Sequence, residues 1–313
     1  MELISFEDYV IRYKNPLVVT IGSFDGIHLG HQKLIKLTVE RSKKLNAKSA
    51  VITFDPHPLA VIKNIHHDNI SSIMDKAKII NSLGVDYLIV INFTLEFSKI
   101  SKEEFVNKYL KLINICEVIV GNDFKFGRCG EGNAKDIYSL SNNTINTTII
   151  DLVKYNDEKI GSSKILDLLK KGLIEEANKL LGYFYSFSGV VIKGNQIGRK
   201  LGFPTANIDN SYAKKILKSG VYGVLVTVDD HSYLGMMNIG HNPTCNFKEV
   251  VSIEINLFDD NINLYDKLLK IECFCFVRDE KKFNNTLELV ERLKIDKEII
   301  INKNLMLAKK WKK

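Results

Sequence analysis

Short apolar runs recur through the first half of the chain, and each is followed by a stretch with helical spacing. Leu17 to Ile21 is the first such run, and Leu34, Ile35 and Leu37 then mark one face of a helix predicted to reach about Lys44. Ala47 to Phe54 is a second buried-type strand, closed by Asp55-Pro56-His57-Pro58, whose prolines end it and stiffen the loop. Met74 to Leu83 has helical spacing, Gly84 stops it, and Val85 to Ile91 is the next strand. Lys102 to Leu112 reads as a helix capped by Ser101, with Glu104 at its third position. Val118 to Gly121 is a further strand, and Ile160-Gly161-Ser162-Ser163 opens a helix expected to run to Leu181 with Ser162 or Ser163 as its cap. This alternation predicts an α/β domain with a parallel sheet covered on both faces. Ligands of such sheets bind at the carboxyl ends of the strands. Residues 22–31, 55–58 and 122–124 all follow strands, so they are expected to line one cleft.

The pattern changes near Ser186. Short strands dominate from there: Ser188 to Ile192, Gly220 to Val228, Tyr233 to Asn238, Val250 to Leu257 and Leu268 to Val277. Turns such as Asp229-Asp230-His231-Ser232 and Asp259-Asp260-Asn261 separate them, which predicts a small antiparallel barrel. A long helix follows from about Thr286 to Lys309, with Leu287, Val290, Leu293, Ile300 and Leu307 as the stripe that packs on the barrel. Two domains are therefore expected, 1–186 and 187–313, without a long flexible linker.

Bulk composition narrows the partners only slightly. The 313 residues are 45% hydrophobic and 26% charged, ordinary for a globular protein, with a formal net charge of +7. A mild positive balance suits anionic small molecules such as nucleotides, and a solvated lysine-rich surface accounts for it equally well. The Lys309-Lys310-Trp311-Lys312-Lys313 end reads as a frayed helix terminus, with no nucleic acid as partner. Cys116, Cys129, Cys245, Cys273 and Cys275 contain no Cys-x-x-Cys pair, and an odd count fits a reducing compartment. Cys273 and Cys275 read as core. The acidic first residues lack a signal-peptide h-region and no run is long enough to span a membrane, so a cytoplasmic protein is expected.

Candidate chemistry centres on Gly22-Ser23-Phe24-Asp25-Gly26-Ile27-His28-Leu29-Gly30-His31. A helix N-terminus carries unsatisfied N–H groups and a positive dipole end, which suits phosphate. Glycines at 22, 26 and 30 let the backbone approach a ligand closely. His28 and His31, three apart at a helix start, share a face and can donate hydrogen bonds to oxygens that gain charge in phosphoryl chemistry. The competing readings of the pair are a metal site or a structural role. In Gly121-Asn122-Asp123-Phe124-Lys125-Phe126-Gly127, Asp123 is placed to accept from a sugar or ribityl hydroxyl. Phe124 and Phe126 are placed to floor a flat ring, the alternative being a capped loop with two core aromatics. His57 is either a phosphate contact or part of a rigid loop. The first turn after Ile160, with Ser162, Ser163 and Lys164, is a second phosphate-suited helix start.

In the second half the sharpest run is Gly194-Asn195-Gln196-Ile197-Gly198-Arg199-Lys200-Leu201-Gly202-Phe203-Pro204-Thr205-Ala206-Asn207. Glycines 194, 198 and 202 give backbone freedom near phosphates. Thr205 and Asn207, two apart in an extended segment, point to one side and offer neutral oxygens to Mg²⁺. A glycine-rich hairpin edged by Pro204 is the bland alternative. In Val251 to Leu257, alternation sets Ser252, Glu254 and Asn256 on one face, opposite Ile253, Ile255 and Leu257.

The Gly-x-Phe-Asp-Gly preceding His-x-Gly-His resembles the FMN adenylyltransferase branch of the nucleotidylyltransferases. Gly-Arg-x-Leu-Gly-Phe-Pro-Thr-Ala-Asn resembles the riboflavin kinase signature. Both occur in order, and the resemblance over nearly the whole chain is to the bacterial bifunctional riboflavin kinase/FMN adenylyltransferases (FAD synthetases). It implies a Rossmann-like nucleotidylyltransferase domain followed by a β-barrel kinase domain with a C-terminal helix. It implies riboflavin, FMN, FAD, ATP, ADP and pyrophosphate as substrates and products, ATP as co-substrate and Mg²⁺ as cofactor. Carried over residue by residue, it places ATP and phosphate contacts at Gly22, Phe24, Asp25, Gly26, Gly30, Ser162, Ser163, Lys164, Gly194, Gly198, Arg199, Gly202 and Pro204. The same transfer gives flavin contacts at Asn122, Asp123, Phe124, Phe126 and Arg278, and the metal at Thr205 and Asn207. Glu254 matches the general base of the kinase, and His28 and His31 the charge-stabilising pair of the adenylyltransferase. Departures from the pattern are Leu166, where an arginine is usual, Asn242, often arginine, and Asn256, often histidine. The competing readings are a riboflavin kinase whose first domain is weakened by Leu166, a flavin-binding protein without turnover, and a nucleotidylyltransferase of another substrate, against which the kinase signature stands.

Overall fold

Every residue of Leu17–Ile21 is buried, which is what a strand at the centre of a doubly covered sheet requires. The computed structural model describes residues 1–65, 67–151, 153–156, 158–192, 202–209, 216–243, 249–259 and 264–310. These divide into two compact units, Met1–Ser162 and Ser163–Lys313.

The first unit contains β1 (Glu2–Ser5), α1 (Phe6–Arg12), β2 (Leu17–Ile21), α2 (Leu29–Lys44), β3 (Lys48–Asp55), α3 (Pro58–Lys63), α4 (Ile73–Ser82) and β4 (Tyr87–Asn92). It continues with α5 (Lys102–Phe105), β5 (Ile115–Gly121), β6 (Lys125–Phe126), β7 (Gly132–Asn133), α6 (Ala134–Leu140), β8 (Asn146–Ile150), β9 (Lys154–Tyr155) and β10 (Glu158–Lys159). Six strands form one sheet in the order β1-β4-β3-β2-β5-β8, and all its pairings are parallel. One core, with Tyr9, Val19, Ile52, Ile89, Phe105 and Val118, covers one face; a second, with Ile35, Val51, Ile80 and Leu88, covers the other. Helix α2 is tied to the sheet by Arg41, whose Nε donates to buried Glu117 at 2.9 Å, while Thr148 donates to the same carboxylate at 2.6 Å.

The expected alternation is present, with three local differences. The Ser101–Glu104 capping box forms, but after Phe105 the helix continues as a π-turn over Val106–Leu110 and ends before Leu112. The single helix predicted to Leu181 is two, α7 (Ser162–Lys170) and α8 (Ile174–Leu181), because Gly172 adopts φ +76° between them. Strands β1 and β8 were not legible: the first is four residues long and the second is a polar edge strand.

The second unit is a closed antiparallel barrel of β11 (Tyr185–Ile192), β12 (Ala206–Asp209), β13 (Gly220–Val228), β14 (His231–Pro243), β15 (Glu249–Leu257) and β16 (Leu268–Asp279), in the order β11-β12-β15-β14-β13-β16. Strand β11 begins three residues before the expected Ser188, so Ser186, the expected domain change, is its second residue. Strand β14 is longer than predicted at both ends and takes in His231 and Ser232. Helix α9 (Thr286–Lys310) packs on the barrel through Ile300, fully buried, with Leu293 and Leu307 against Met236, Phe274 and Cys275. Leu287, expected in that stripe, is 77% exposed. Cys273 and Cys275 are buried as core, but their register partners Val224 and Gly223 are adjacent, so a bulge at Phe274 separates them. No described helix is long and apolar enough to cross a membrane.

Candidate active sites

The turn after β2 is unusual backbone. Phe24 (φ 45°), Gly26 (φ 71°) and Ile27 (φ 34°) all lie in the left-handed region. At Gly26 a Cβ would also crowd the Ile70 side chain at 3.0 Å. Such a path persists only when surroundings over-determine it. Here the surroundings are the segment before α4. Asp25, 4% exposed, accepts from the N–H of Ile70 at 3.0 Å and of Ser71 at 3.2 Å, and Ser71 Oγ donates to it at 3.4 Å. Gly26 N–H donates back to Ser71 Oγ at 3.1 Å. Burial raises the Asp25 pKa, against the Lys76 charge and the two backbone donors. Both Asp25 oxygens are therefore committed to the protein, where they shape the turn. Ser162 Oγ donates to the Asp25 carbonyl at 2.9 Å, and Gly22 N–H continues the sheet ladder to Ile52 at 3.1 Å.

His28 and His31 stack, with centroids 3.6 Å apart and planes 17° from parallel. His28 is the N-cap of α2: its Nδ1 accepts from His31 N–H at 3.3 Å. A neutral ring accepting at Nδ1 carries its proton on Nε2, so the cap fixes His28 as an Nε2–H donor. Gly30 leaves room for the stack, since a Cβ there would crowd the His28 ring at 3.1 Å. His31 Nδ1 is buried and has no partner among the described residues. Burial lowers the His28 pKa to about 4, and burial, helped by His28 and Lys76, puts His31 well below its usual range. Among the described residues no group of three or more His, Cys, Asp or Glu is placed to hold a metal ion.

These depressed values make a prediction. The unfolded chain protonates His28 near pH 6.5, while the folded chain resists until about pH 4. The unfolded state then binds more protons between those values, so stability falls as pH drops through that window, by about 3 kcal/mol for this group. Burial lowers the His57 pKa to about 4 as well, and it adds in the same direction. ¹³C-histidine NMR is expected to show His28 neutral at pH 5.5; a midpoint near pH 6.5 would contradict the buried cap.

An aromatic cavity of about 370 Å³ opens beside this turn at the carboxyl ends of the strands. Phe54, Phe93, Phe97, Phe105, Phe124 and Phe126 line it, with Gly22 and Ser23 of the turn and Cys129. Phe124 and Phe126 lie 5.7 Å apart at 27° and line one space, and four others join them: Phe54 of β3, Phe93 just after β4, Phe97 of a 3-10 turn and Phe105 of α5. Asn122 Nδ2 donates to Asp151 at 3.3 Å, and Asp123 holds Lys159 of β10 at 2.5 Å. His57 caps α3, accepting from Leu59 N–H at 3.2 Å, and stacks on His67 at 4.2 Å. The turn before the histidine pair and the aromatic cavity thus share the residues Gly22 and Ser23.

In the barrel, Glu254 is half-buried between Ile253 and Ile255, each 1% exposed and facing inward. Its cross-strand neighbours are Asn207 on β12 and Asn238 on β14. Directly opposed residues of an antiparallel pair share a face, so Asn207, Glu254 and Asn238 form a polar row on the outer face. Asn256, two residues on, is buried and donates from Nδ2 to the Pro204 carbonyl at 2.8 Å, fastening the segment that carries Thr205 to β15. Gly202 takes φ +77°. Arg278 is engaged elsewhere: its Nε donates to fully buried Asp296 of α9 at 2.8 Å and its guanidinium lies over Phe283. Arg278, expected as a flavin contact, thus has its Nε paired with an acid inside its own domain. Gly194, Gly198 and Arg199 lie outside the described residues, and so does Cys245. Ser163 and Lys164 are exposed in the first turn of α7, and Leu166 is half-buried.

Lys76, Ser71, Lys159 and four of the six phenylalanines were missed from sequence. Lys76 carried one signal, a lysine next to Ala77 on the apolar face of a helix; the others are brought to the site only by the fold.

Residues 10–164 match the family model for FAD synthetase and residues 181–303 that for riboflavin kinase. The bifunctional riboflavin kinase/FMN adenylyltransferase of Listeria monocytogenes is 38% identical over 90% of both chains, and that of Bacillus subtilis is equally similar over 90% of both. A solved structure titled as a macrolide-efflux protein from Streptococcus pneumoniae is 30% identical, with a TM-score of 0.88, covering 96% of this chain and 99% of its own.

Proposed function

The chain belongs to the bifunctional riboflavin kinase/FMN adenylyltransferase family, and from that premise we propose which residues carry each of its two reactions. It is an ATP-using transferase that phosphorylates riboflavin to FMN and adenylylates FMN to FAD. Matches to both domain families favour two working activities over a kinase with a disabled partner domain. We assign adenylyl transfer to 1–186 and the kinase to 187–313.

In the first domain the observation that carries the assignment is the shared wall of the phosphate turn and the aromatic cavity. The cavity suits the flat isoalloxazine, which places the FMN phosphate toward Ser23 and the start of α2. An FMN phosphate oxygen attacks the α-phosphorus of ATP; the bond to the β-phosphate oxygen breaks and pyrophosphate leaves. No protein nucleophile is needed. Neutral His28, donating from Nε2, and the α2 N-terminus stabilise the charge that develops, with His31 beside it. Leu166 brings no cation, but Lys159 does: its ammonium sits on Asp123 and acts electrostatically on His28. In the second domain Glu254 accepts the proton of the ribityl 5′-hydroxyl as its oxygen attacks the γ-phosphorus of ATP. Thr205 and Asn207 supply hard neutral oxygens beside the Glu254 carboxylate, a donor chemistry that fits Mg²⁺ rather than a softer metal. When bound, Mg²⁺ would neutralise phosphate charge there.

Cys129 gives a direct test of the flavin cavity, since it is exposed at that cavity and Cys273 and Cys275 are buried. FMN is expected to slow alkylation of Cys129 several-fold, read by peptide mapping. Equal alkylation with and without saturating FMN would place the flavin elsewhere.

A further inference from the structure

Lys76 is a buried lysine, 4% exposed, on the inner face of α4 beside Ala77 and Ile80. Its Nζ donates to the carbonyl of Ser23 at 2.8 Å. Thr53 Oγ1, from β3, donates to the same carbonyl at 3.2 Å. Two donors from two elements thus fix one peptide group of the turn that precedes the histidine pair.

The chemistry of the ligand explains why that peptide needs holding. A turn that receives polyphosphate must present N–H groups, because a carbonyl facing a phosphate oxygen repels it. In a trans peptide the C=O and the following N–H point in opposite directions. Drawing the Ser23 carbonyl inward therefore turns the Phe24 N–H outward. Phe24 sits at φ 45°, a conformation that does not maintain itself.

We propose that Lys76 is a positioning residue for adenylyl transfer, holding the Ser23–Phe24 peptide so that its N–H faces the nucleotide phosphates. The proposal rests on the reading of this turn as the ATP site. Lys76 touches no substrate in this role. The carboxylates of Asp25, equally buried, and of Asp55 favour the charged form of Lys76, and the bonds of Asp25 to Ile70 and Ser71 anchor the segment from which α4 and Lys76 start.

The test measures FAD formation from FMN and FMN formation from riboflavin on the same full-length preparations. Lys76→Met is expected to lower kcat for FAD formation roughly tenfold or more, short of the loss for a direct donor, with KM for FMN and the kinase rate unchanged. Lys76→Arg is expected to recover part of the loss. Thr53→Val removes the second donor without changing charge, and is expected to lower kcat in the same direction by less. It also decides the matter if Lys76→Met does not fold. Wild-type kcat in folded Lys76→Met, or in Thr53→Val where the first does not fold, overturns the proposal. So does full recovery in the Asp25→Asn/Lys76→Met double variant, which would make Lys76 only a counter-ion. His28→Asn is run alongside: if it keeps full FAD formation, the reading of the turn itself fails, whereas loss there with Lys76→Met unaffected rejects Lys76 alone.

Discussion

Glu254→Gln is expected to lower the rate of FMN formation from riboflavin by about 100- to 10,000-fold, the range of a lost general base. The substitution is nearly isosteric. Glu254 is half-buried on β15 with Asn207 and Asn238 as its cross-strand neighbours, and a glutamine of nearly the same shape leaves the backbone pairing of the three strands, and so the barrel's register, in place. What is lost is the one group in that row able to take a proton. Riboflavin binding, read by flavin fluorescence, should change little, and FAD formation from supplied FMN should remain. An unchanged kinase rate would show that the proton goes elsewhere, for instance directly to phosphate.

His28→Asn is expected to reduce kcat for FAD formation by about 100- to 1,000-fold, as for the removal of one donor to a developing oxyanion. Asparagine is chosen because it is among the best N-cap residues, so the start of α2 and the His31 N–H bond are preserved while the Nε2–H donor disappears. The kinase rate on riboflavin should be untouched. Loss of both activities together would indicate a folding defect, and loss of neither would return the histidine pair to a structural role.

The parts of this protein that were legible in the sequence are those whose physics is local. Strand β2 is buried at every position and reads as an unbroken apolar run. The Ser101–Glu104 box lies within four residues and formed as read. The histidine pair and its glycine are adjacent in sequence, and His28 stacks on His31 for that reason. Elements failed where local pattern and fold diverge. Apolar spacing continues from Leu169 to Ile174 although Gly172 breaks the helix between them. Edge strand β8 is half-solvated and lacks the buried-strand signature. Only two of the six phenylalanines of the aromatic cavity are legible, since Phe54, Phe93, Phe97 and Phe105 come from separate strand ends, a turn and a helix that only the fold brings beside Phe124 and Phe126. Lys76 and Ser23 are brought together in the same way, over 53 residues of chain. Arg278 shows the converse: an arginine in a motif-like segment spends its charge on Asp296 of the final helix.

The most direct test of the central claim, one chain with two separate chemistries at the two assigned sites, is a flavin separation on three proteins. Wild type, Glu254→Gln and His28→Asn are each incubated with ATP and Mg²⁺, once with riboflavin and once with FMN. The wild type should convert riboflavin through FMN to FAD. Glu254→Gln should make FAD from FMN and almost nothing from riboflavin; His28→Asn should accumulate FMN from riboflavin and make almost no FAD. Parallel loss of both products in either variant, or FAD formed at the wild-type rate by His28→Asn, would contradict the account.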